Sequence, residues 1–485
     1  MLTPEQLDDA GEKVTAIYRQ IEAELLDYLV EHMADGEIST QRARTALNLL
    51  SQSMPLEVKQ IIDSHADEIE DAVREEVSSL MAKSDAFDLA RIGAALGIGT
   101  ALTMQIAAVT ASVKRMLARD NIAMSEAARS KFLQWSTWAA TEIATGNITA
   151  DKALHVAVRN LEREGLSIPF VTYKDPETGK ATVTNRVDVA VQRHIRSLIS
   201  QGTAELTLNL LRENGVEFVE VSSHIGSRPS HAEWHGRCYH VGGRVTVDGV
   251  TYEDFHEGTG YQGVSGPYTA LGDQLLGVNC RHSFAPWTPG SPRAYSPDPE
   301  HPSGLSNEEV YELTQRQRAR ERGIREAKRQ LAGAQIIYDK NPTVENLGEV
   351  TRAKLLLRNR QAAMRKFISE SNARCKEGTR VLTRQPRREW AGDMPKVKAP
   401  KRTAHGNDQM KDRGVTDDMA SDAIINPIKV FPVEYDELGR PSYKSVGRQA
   451  TVAVNPETMH VVTAYRTSKR RLRKYEREQN EQSSE

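Results

Sequence analysis

A chain of 485 residues is too long for one compact core, so it must divide into several units. A formal net charge of -2 with 27% charged residues excludes a protein that attracts nucleic acid or an anionic membrane as a whole; any basic site must be local. Three cysteines, Cys238, Cys280 and Cys375, are too few and too scattered for a disulfide framework. The amino terminus "MLTPEQLDDAGEKV" lacks the basic and apolar halves of a signal peptide, which points to synthesis in a reducing cytoplasm.

Residues 1–210 carry an almost unbroken helical pattern. Thr3 caps the first helix, Pro4 takes its first position, and Leu7, Val14, Ile17, Ile21, Leu25 and Leu29 form one apolar stripe. From Ile92 to Val113 the chain runs without a charge, long enough to span a bilayer. Gln105, three threonines and a serine within it, and amphipathic stretches on both sides, favour a helix buried among helices, with no stable membrane insertion. A further helix follows Gly146, with Thr149 as cap and Gly165 as stop, and "YKDPETGK" marks a surface turn.

Residues 211–300 are richer in glycine and proline, and "RVTVDGVTY" reads as two strands joined at Asp248-Gly249, so a small β-containing core module is expected. Residues 301–380 return to helix on both sides of Asn341-Pro342, the pattern of a helical hairpin. Its first half is rich in arginine with Glu321 and Glu326 interleaved, which suits a solvated face or a negatively charged partner. Residues 381–400 are a basic, proline-broken linker. Residues 401–478 give two short helices and then several strands, an α+β unit. The fold expected for the whole is therefore multidomain and mainly α, with small α+β modules.

The last unit ends in "RTSKRRLRKYER", where seven basic residues face one acid, and Arg466, Lys469, Arg470, Arg471 and Arg473 suit phosphate backbones. Its polar residues are of the types that metal-independent RNA cleavage uses. Such chemistry needs a base for the ribose 2′-hydroxyl proton, an acid for the leaving oxygen, and cations or hydroxyls around the phosphorus. His405 could be the base, Lys444 and Arg413 could stabilise charge, and Thr463, Tyr465, Thr467 and Ser468 could supply hydroxyls. The plainer reading is that His405 packs or caps a helix and Lys444 is a solvated strand residue.

Six of the thirteen histidines, His224, His231, His235, His240, His256 and His282, fall between residues 224 and 282 together with Cys238 and Cys280. On strands, residues two apart share a face, so Cys238, His240, Cys280 and His282 could donate a tetrahedral set to zinc. Histidines in a glycine-rich module more often hydrogen-bond backbone carbonyls, and no resident metal or cofactor is expected.

Two resemblances follow from these residues. The stretch "AHGNDQMKDRGVTDDMASDAIINP", followed by "YKSVG" and "ATVAVNPETMHVVTAYRTS", resembles the phage-borne barnase, EndoU, colicin and RelE-like nuclease domains. That resemblance implies a compact α+β ribonuclease-like domain, with functional positions at His405, Arg413, Lys444 and the Thr463 to Ser468 neighbourhood. It also implies RNA, with transfer RNA as one candidate, and an accompanying immunity protein as partners. EndoU-type enzymes use two histidines, and His460 does not match the second, so a single-histidine mechanism and an inactive copy are both left open.

"SSHIGSRPSHAEWHG", "GVNCRHSFAPWTPG" and "EEVYELTQRQRARERGIREAKRQ", in that order, are similar to the phage minor capsid protein 2 family, relatives of the MuF-type minor head proteins. Ser223, His224, Arg228, Pro229, Ser230, His231, Trp234, Gly236, Asn279, Cys280, Arg281 and His282 carry that similarity, and Cys238 falls outside it. It implies a structural role in the virion head, inside the capsid near the portal, with the portal and other head proteins as partners. Arg228 and Arg281 as multivalent donors and Trp234 as a packing surface could pin loops that few strands hold.

Overall fold

The computed structural model describes residues 1–35, 54–93, 100–174, 181–262, 274–277, 280–382, 404–425, 427–431, 434–436, 441–455 and 460–482. The chain is a mainly α, multidomain protein with small antiparallel sheets. Its helices begin where the local chemistry directs. Thr3 Oγ1 accepts from Gln6 N and Gln6 Oε1 accepts from Thr3 N, so α1 (Pro4–Asp9) starts in a capping box with proline first.

The amino-terminal body consists of α2 (Glu12–Asp35), α3 over residues 54–64, α4 (Ala66–Ile92), α5 (Thr100–Ala144), α6 (Ala150–Glu164) and α7 (Val187–Asn214). A two-stranded ribbon, β1 (Ser167–Lys174) and β2 (Ala181–Arg186), joins the last two. The stripe of α2 is buried, with Val14, Ile21, Leu25 and Leu29 shielded from solvent, and Thr149 and Gly165 bound α6. Helix α7 runs through the middle, against α2, α4 and α5. Gly202 lets α7 and α5 approach closely, because a methyl group there would overlap Val109 Cγ2.

The apolar run from Ile92 to Val113 differs from a single buried helix. Gly93, in the left-handed region at φ 70°, caps α4, and α5 begins at Thr100; residues 94–99 lie outside the described residues. Leu102, Val109 and Val113 are buried while Met104 is 67% exposed, so the run is one-sided core. No helix among the described residues is long and apolar enough to cross a membrane.

The central module holds β3 (Phe218–Val221), β4 (Cys238–His240) and β7 (Phe284–Trp287), in the order β4-β3-β7, all antiparallel. The sequence hairpin is present as β5 (Val245–Val247) and β6 (Val250–Tyr252), turned at Asp248 and Gly249, both at positive φ. The short α8 (Phe255–Thr259) follows. Val219, Tyr239, Phe255 and Phe284 pack with Ala204 and Leu211, so the module rests on the far end of α7.

The hairpin pairs α9 (Asn307–Lys340) with α10 (Val344–Asn372). The α9 arginines divide: Arg316, Arg320 and Arg322 are exposed, as a solvated face would have them, while Arg318, Arg325 and Arg329 turn inward to the amino-terminal body. Arg325 pairs with Asp188, which Arg19 also approaches at 3.6 Å, and Arg329 Nε donates to Glu162 O at 2.9 Å. Arg318 reaches Asp8 at 3.8 Å, beside Arg196 at 3.6 Å and Arg281 at 3.1 Å.

The last unit has α11 (Ala404–Asp412), α12 (Asp417–Ile425), β8 (Lys429–Val430), β9 (Glu434–Tyr435), β10 (Pro441–Val446), β11 (Ala450–Val454), β12 (Val461–Arg466) and α13 (Lys469–Gln482). The sheet order is β12-β11-β10-β8, with β9 also on β10. Tyr443, Val452 and Ala464 belong to one apolar cluster with Leu331, Tyr338 and Leu357, so this unit packs directly on the hairpin. The linker expected at 381–400 lies almost wholly outside the described residues.

One buried carboxyl yields a test of this packing. Glu76 of α4 accepts from Lys13 N at 2.9 Å through Oε1, while Oε2 is buried without a hydrogen-bond partner among the described residues. Burial pushes its carboxyl up from 4.5 to about 7. A group raised on folding supports the fold below its unfolded value and loses that support as pH rises through its folded value. Thermal unfolding from pH 4.5 to 8 should therefore show Glu76→Gln, which keeps the acceptor, gaining about 2–3 kcal/mol over the parent across that window.

Candidate functional site

At the end of β3 the ladder continues into Ser222, whose N–H donates to Ser283 O at 2.8 Å while Ser222 Oγ accepts from Ser283 N at 2.9 Å. That pairing sets the chain entering His224 beside the chain leaving His282. Asn307, at the start of α9, then clamps the turn: its Oδ1 accepts from Gly226 N at 2.8 Å and Ser227 N at 3.1 Å, and its Nδ2 donates to Ser227 O. Pro229 opens a 3₁₀ turn, Pro229–Trp234, whose first carbonyl comes from Arg228. Gly236, at φ 56°, must lack a side chain because a Cβ would run into the backbone of Ser296 and Pro297.

These constraints bring four imidazoles and a thiol together. The His282 ring lies 4.6 Å from that of His224, 5.1 Å from His235 and 5.5 Å from His231, between centroids. Cys280 Sγ lies 3.7 Å from His282 Nδ1, and Trp234 covers His231 at 4.5 Å. His282 is 0% exposed, His231 2%, His235 3% and Cys280 3%. One ligand atom each from His231, Cys280 and His282 can lie within 4.8 Å of the other two. Burial, followed by the charges of Arg281 and the neighbouring rings, lowers His224 to about 4; burial and His231 do the same to His235, and burial holds His282 well below its ordinary value. Those three rings are therefore uncharged at neutral pH.

The set considered from strand spacing is not the one that assembles. His240 donates through Nδ1 to Gly243 O at 2.6 Å and stacks near Phe218 at 4.9 Å. Cys238 sits opposite Glu220, near Arg91 and Arg293, and burial pushes its thiol up to about 12. Strand pairing thus draws Cys238 and His240 to the sheet, and Cys280 and His282 to the loop beyond its end. His256 is also satisfied by a carbonyl, Tyr261 O at 2.7 Å. Arg281 reaches Asp8, and Arg228 lies close enough to Arg193 to help burial lower it to about 10. Asn279 lies outside the described residues. Sequence reasoning placed His235 in the rich stretch but not at this centre, and it missed Asn307 and Glu220, which carry no local signal.

In the last unit the candidate residues divide between the two faces of the sheet. Lys444, Ala453 and Thr463 lie side by side on one face, and the two-residue period adds Tyr465. Ser445, Val452 and Ala464 form the other face, where Ser445 Oγ donates to Ala423 O of α12 at 2.7 Å and α11 lies against β12. Lys444 Nζ meets Glu434 at 2.8 Å, which with Tyr465 holds its ammonium raised against the opposing effects of burial and Arg471. The Arg471 guanidinium lies 5.9 Å over the Tyr465 ring.

Arg413 follows α11 and donates to Ala464 O at 3.3 Å, and Arg466 donates to Gly414 O at 2.8 Å. The Thr467 hydroxyl lies 2.9 Å from that of Thr451, and Ser468 Oγ accepts from Arg471 N. Lys469, Arg470 and Arg473 are exposed on α13. His405 is on α11, with its side chain outside the described residues.

A family model described as phage minor capsid protein 2 matches residues 2–369, which include the helical body, the histidine cluster and most of the hairpin. The chain belongs to that family. No curated protein and no solved structure matches this minor capsid protein. The matched span stops before α11, so it does not extend to the last unit.

The minor capsid protein anchors its central module through Glu220, 1% exposed, which accepts from Arg91 at 2.9 Å, Arg293 at 3.3 Å, and the N–H groups of Ala294 and Tyr295 at 2.9 Å. Removing the carboxylate leaves the Arg91 charge with only Pro286 O as partner among the described residues and strips two N–H groups of their acceptor. Glu220→Ala should lower stability by about 3 kcal/mol, toward the small end of the range because Arg293 is 40% exposed, and Glu220→Gln by less, as read by urea unfolding.

Proposed function

We propose that this minor capsid protein sits inside the phage head near the portal, where its helical body and central module dock to the portal and other head proteins. The match across residues 2–369 carries this reading. The residues of the central module also support it: they are turned to one another and to carboxylates of the body, an arrangement suited to holding shape. Mass spectrometry of purified particles should find the chain in the virion and give its copy number, whereas particles without it would count against the placement.

The last unit is proposed to be a metal-independent ribonuclease-like effector that acts on RNA in the infected cell and is held in check by an immunity protein. In this reading His405 takes the proton from a ribose 2′-hydroxyl, whose oxygen attacks the adjacent phosphorus. Lys444 and Arg413 stabilise the charge, and hydroxyls of Thr463, Tyr465, Thr467 and Ser468 position the phosphate. The 5′-oxygen leaves with a returned proton, and a 2′,3′-cyclic phosphate remains. Arg466, Lys469, Arg470, Arg471 and Arg473 hold the flanking backbone.

The alternative reading is an inactive nucleic-acid-binding module, in which Lys444, Thr463 and Tyr465, on the face of the sheet opposite α12, hold a strand without cutting it. Incubating the full chain with transfer RNA separates the two. Cyclic-phosphate ends that His405→Ala abolishes by a factor of about 100 or more are the expected result for the enzyme. Intact RNA whose retardation on a gel is lost in Lys444→Glu and Arg471→Glu identifies the binding module.

A further inference from the structure

We propose that His231, Cys280 and His282 bind a zinc ion, with His235 lining the fourth position, and that this ion pins the 3₁₀ turn to the loop leading into β7. The residues come from two segments joined through the β3–β7 ladder and the Ser222–Ser283 pairing, and Asn307 clamps the first of them to α9. A tetrahedral zinc, with bonds of about 2.3 Å to sulfur and about 2.05 Å to nitrogen, spaces sulfur and nitrogen ligands about 3.6 Å apart. Cys280 Sγ and His282 Nδ1 stand at 3.7 Å, and His231 lies within 4.8 Å of both, so the set closes with a sub-rotamer movement.

The surroundings favour a cation over a packed apolar centre. His235 Nε2 is buried with no hydrogen-bond partner among the described residues, an arrangement that costs the fold unless a lone pair is taken up. A thiol and imidazoles, with no carboxylate in the set, select a borderline-soft ion such as Zn²⁺ over Mg²⁺ or Ca²⁺. Burial of the ligands makes the site closed and structural rather than open to substrate. On binding, the Cys280 thiol gives up its proton to solvent and zinc takes the thiolate in its place.

The test uses the untagged full chain, purified with zinc present and freed of loosely held metal. About one zinc per chain is expected, falling below about a fifth in Cys280→Ser and His282→Ala and unchanged in Cys238→Ser and His240→Ala. Stripping with a chelator should lower Tm by more than about 5 °C, and zinc should restore it. Because Cys280→Ser could fail to fold, cobalt is exchanged into the parent as well. A thiolate-to-cobalt charge-transfer band that persists in Cys238→Ser and Cys375→Ser supports the site. A parent chain that holds no zinc, or binds cobalt without that band, overturns it.

Discussion

Carboxylates held by arginines from distant parts of the chain are the constraint on which this architecture depends. Asp188 draws Arg19 of α2 and Arg325 of α9 to the start of α7. Asp8 gathers Arg196, Arg281 and Arg318, one each from α7, the loop before β7 and α9. Glu220 ties the central sheet to α4 through Arg91. A buried ion pair adds little net stability compared with apolar packing, yet removing one member strands the other charge, so such pairs specify one arrangement of helices more than they deepen it. Long helices with plain apolar stripes could slide against each other; guanidinium forks aimed at fixed carboxylates do not allow that.

The histidine cluster is a consequence of this frame. Asp8 holds Arg281, next to Cys280 and His282, and Asn307 of α9 holds the turn that brings His231 and His235. With both approaches tied to helices, the rings are driven into a space where burial lowers His224, His235 and His282. A module of short strands has a small apolar core, and polar side chains that meet one another supply the order that longer strands would give. This suits a component that must hold its shape within an assembly.

The last unit follows a different logic. It shares an apolar cluster with the hairpin, while a cationic face of Lys444, Arg471 and α13 is turned outward. The matched family span ends before it, so its role rests on its own residues.

Much of the fold was legible in the chain because helices and caps are local. Thr3, Thr149 and Ser306 accept hydrogen bonds three residues ahead, and the stripe of α2 repeats with the period of a helix. The β5–β6 hairpin was equally plain at Asp248-Gly249. The motif residues His224, His231, Cys280 and His282 could be named, but not their grouping: the two-residue strand period suggested Cys238 and His240 as companions, and the pairing of β3 with β4 took those to another place. The inward arginines of α9 were legible as charge but not as partners. By itself the sequence determined the long helices, the β5–β6 hairpin and which residues could do chemistry, because those depend on neighbours within a few positions, while the β1–β2 ribbon inside the stretch read as helical went unread. Only the tertiary structure decided which histidines meet and which carboxylate each arginine finds, because contacts across hundreds of residues depend on how whole helices pack.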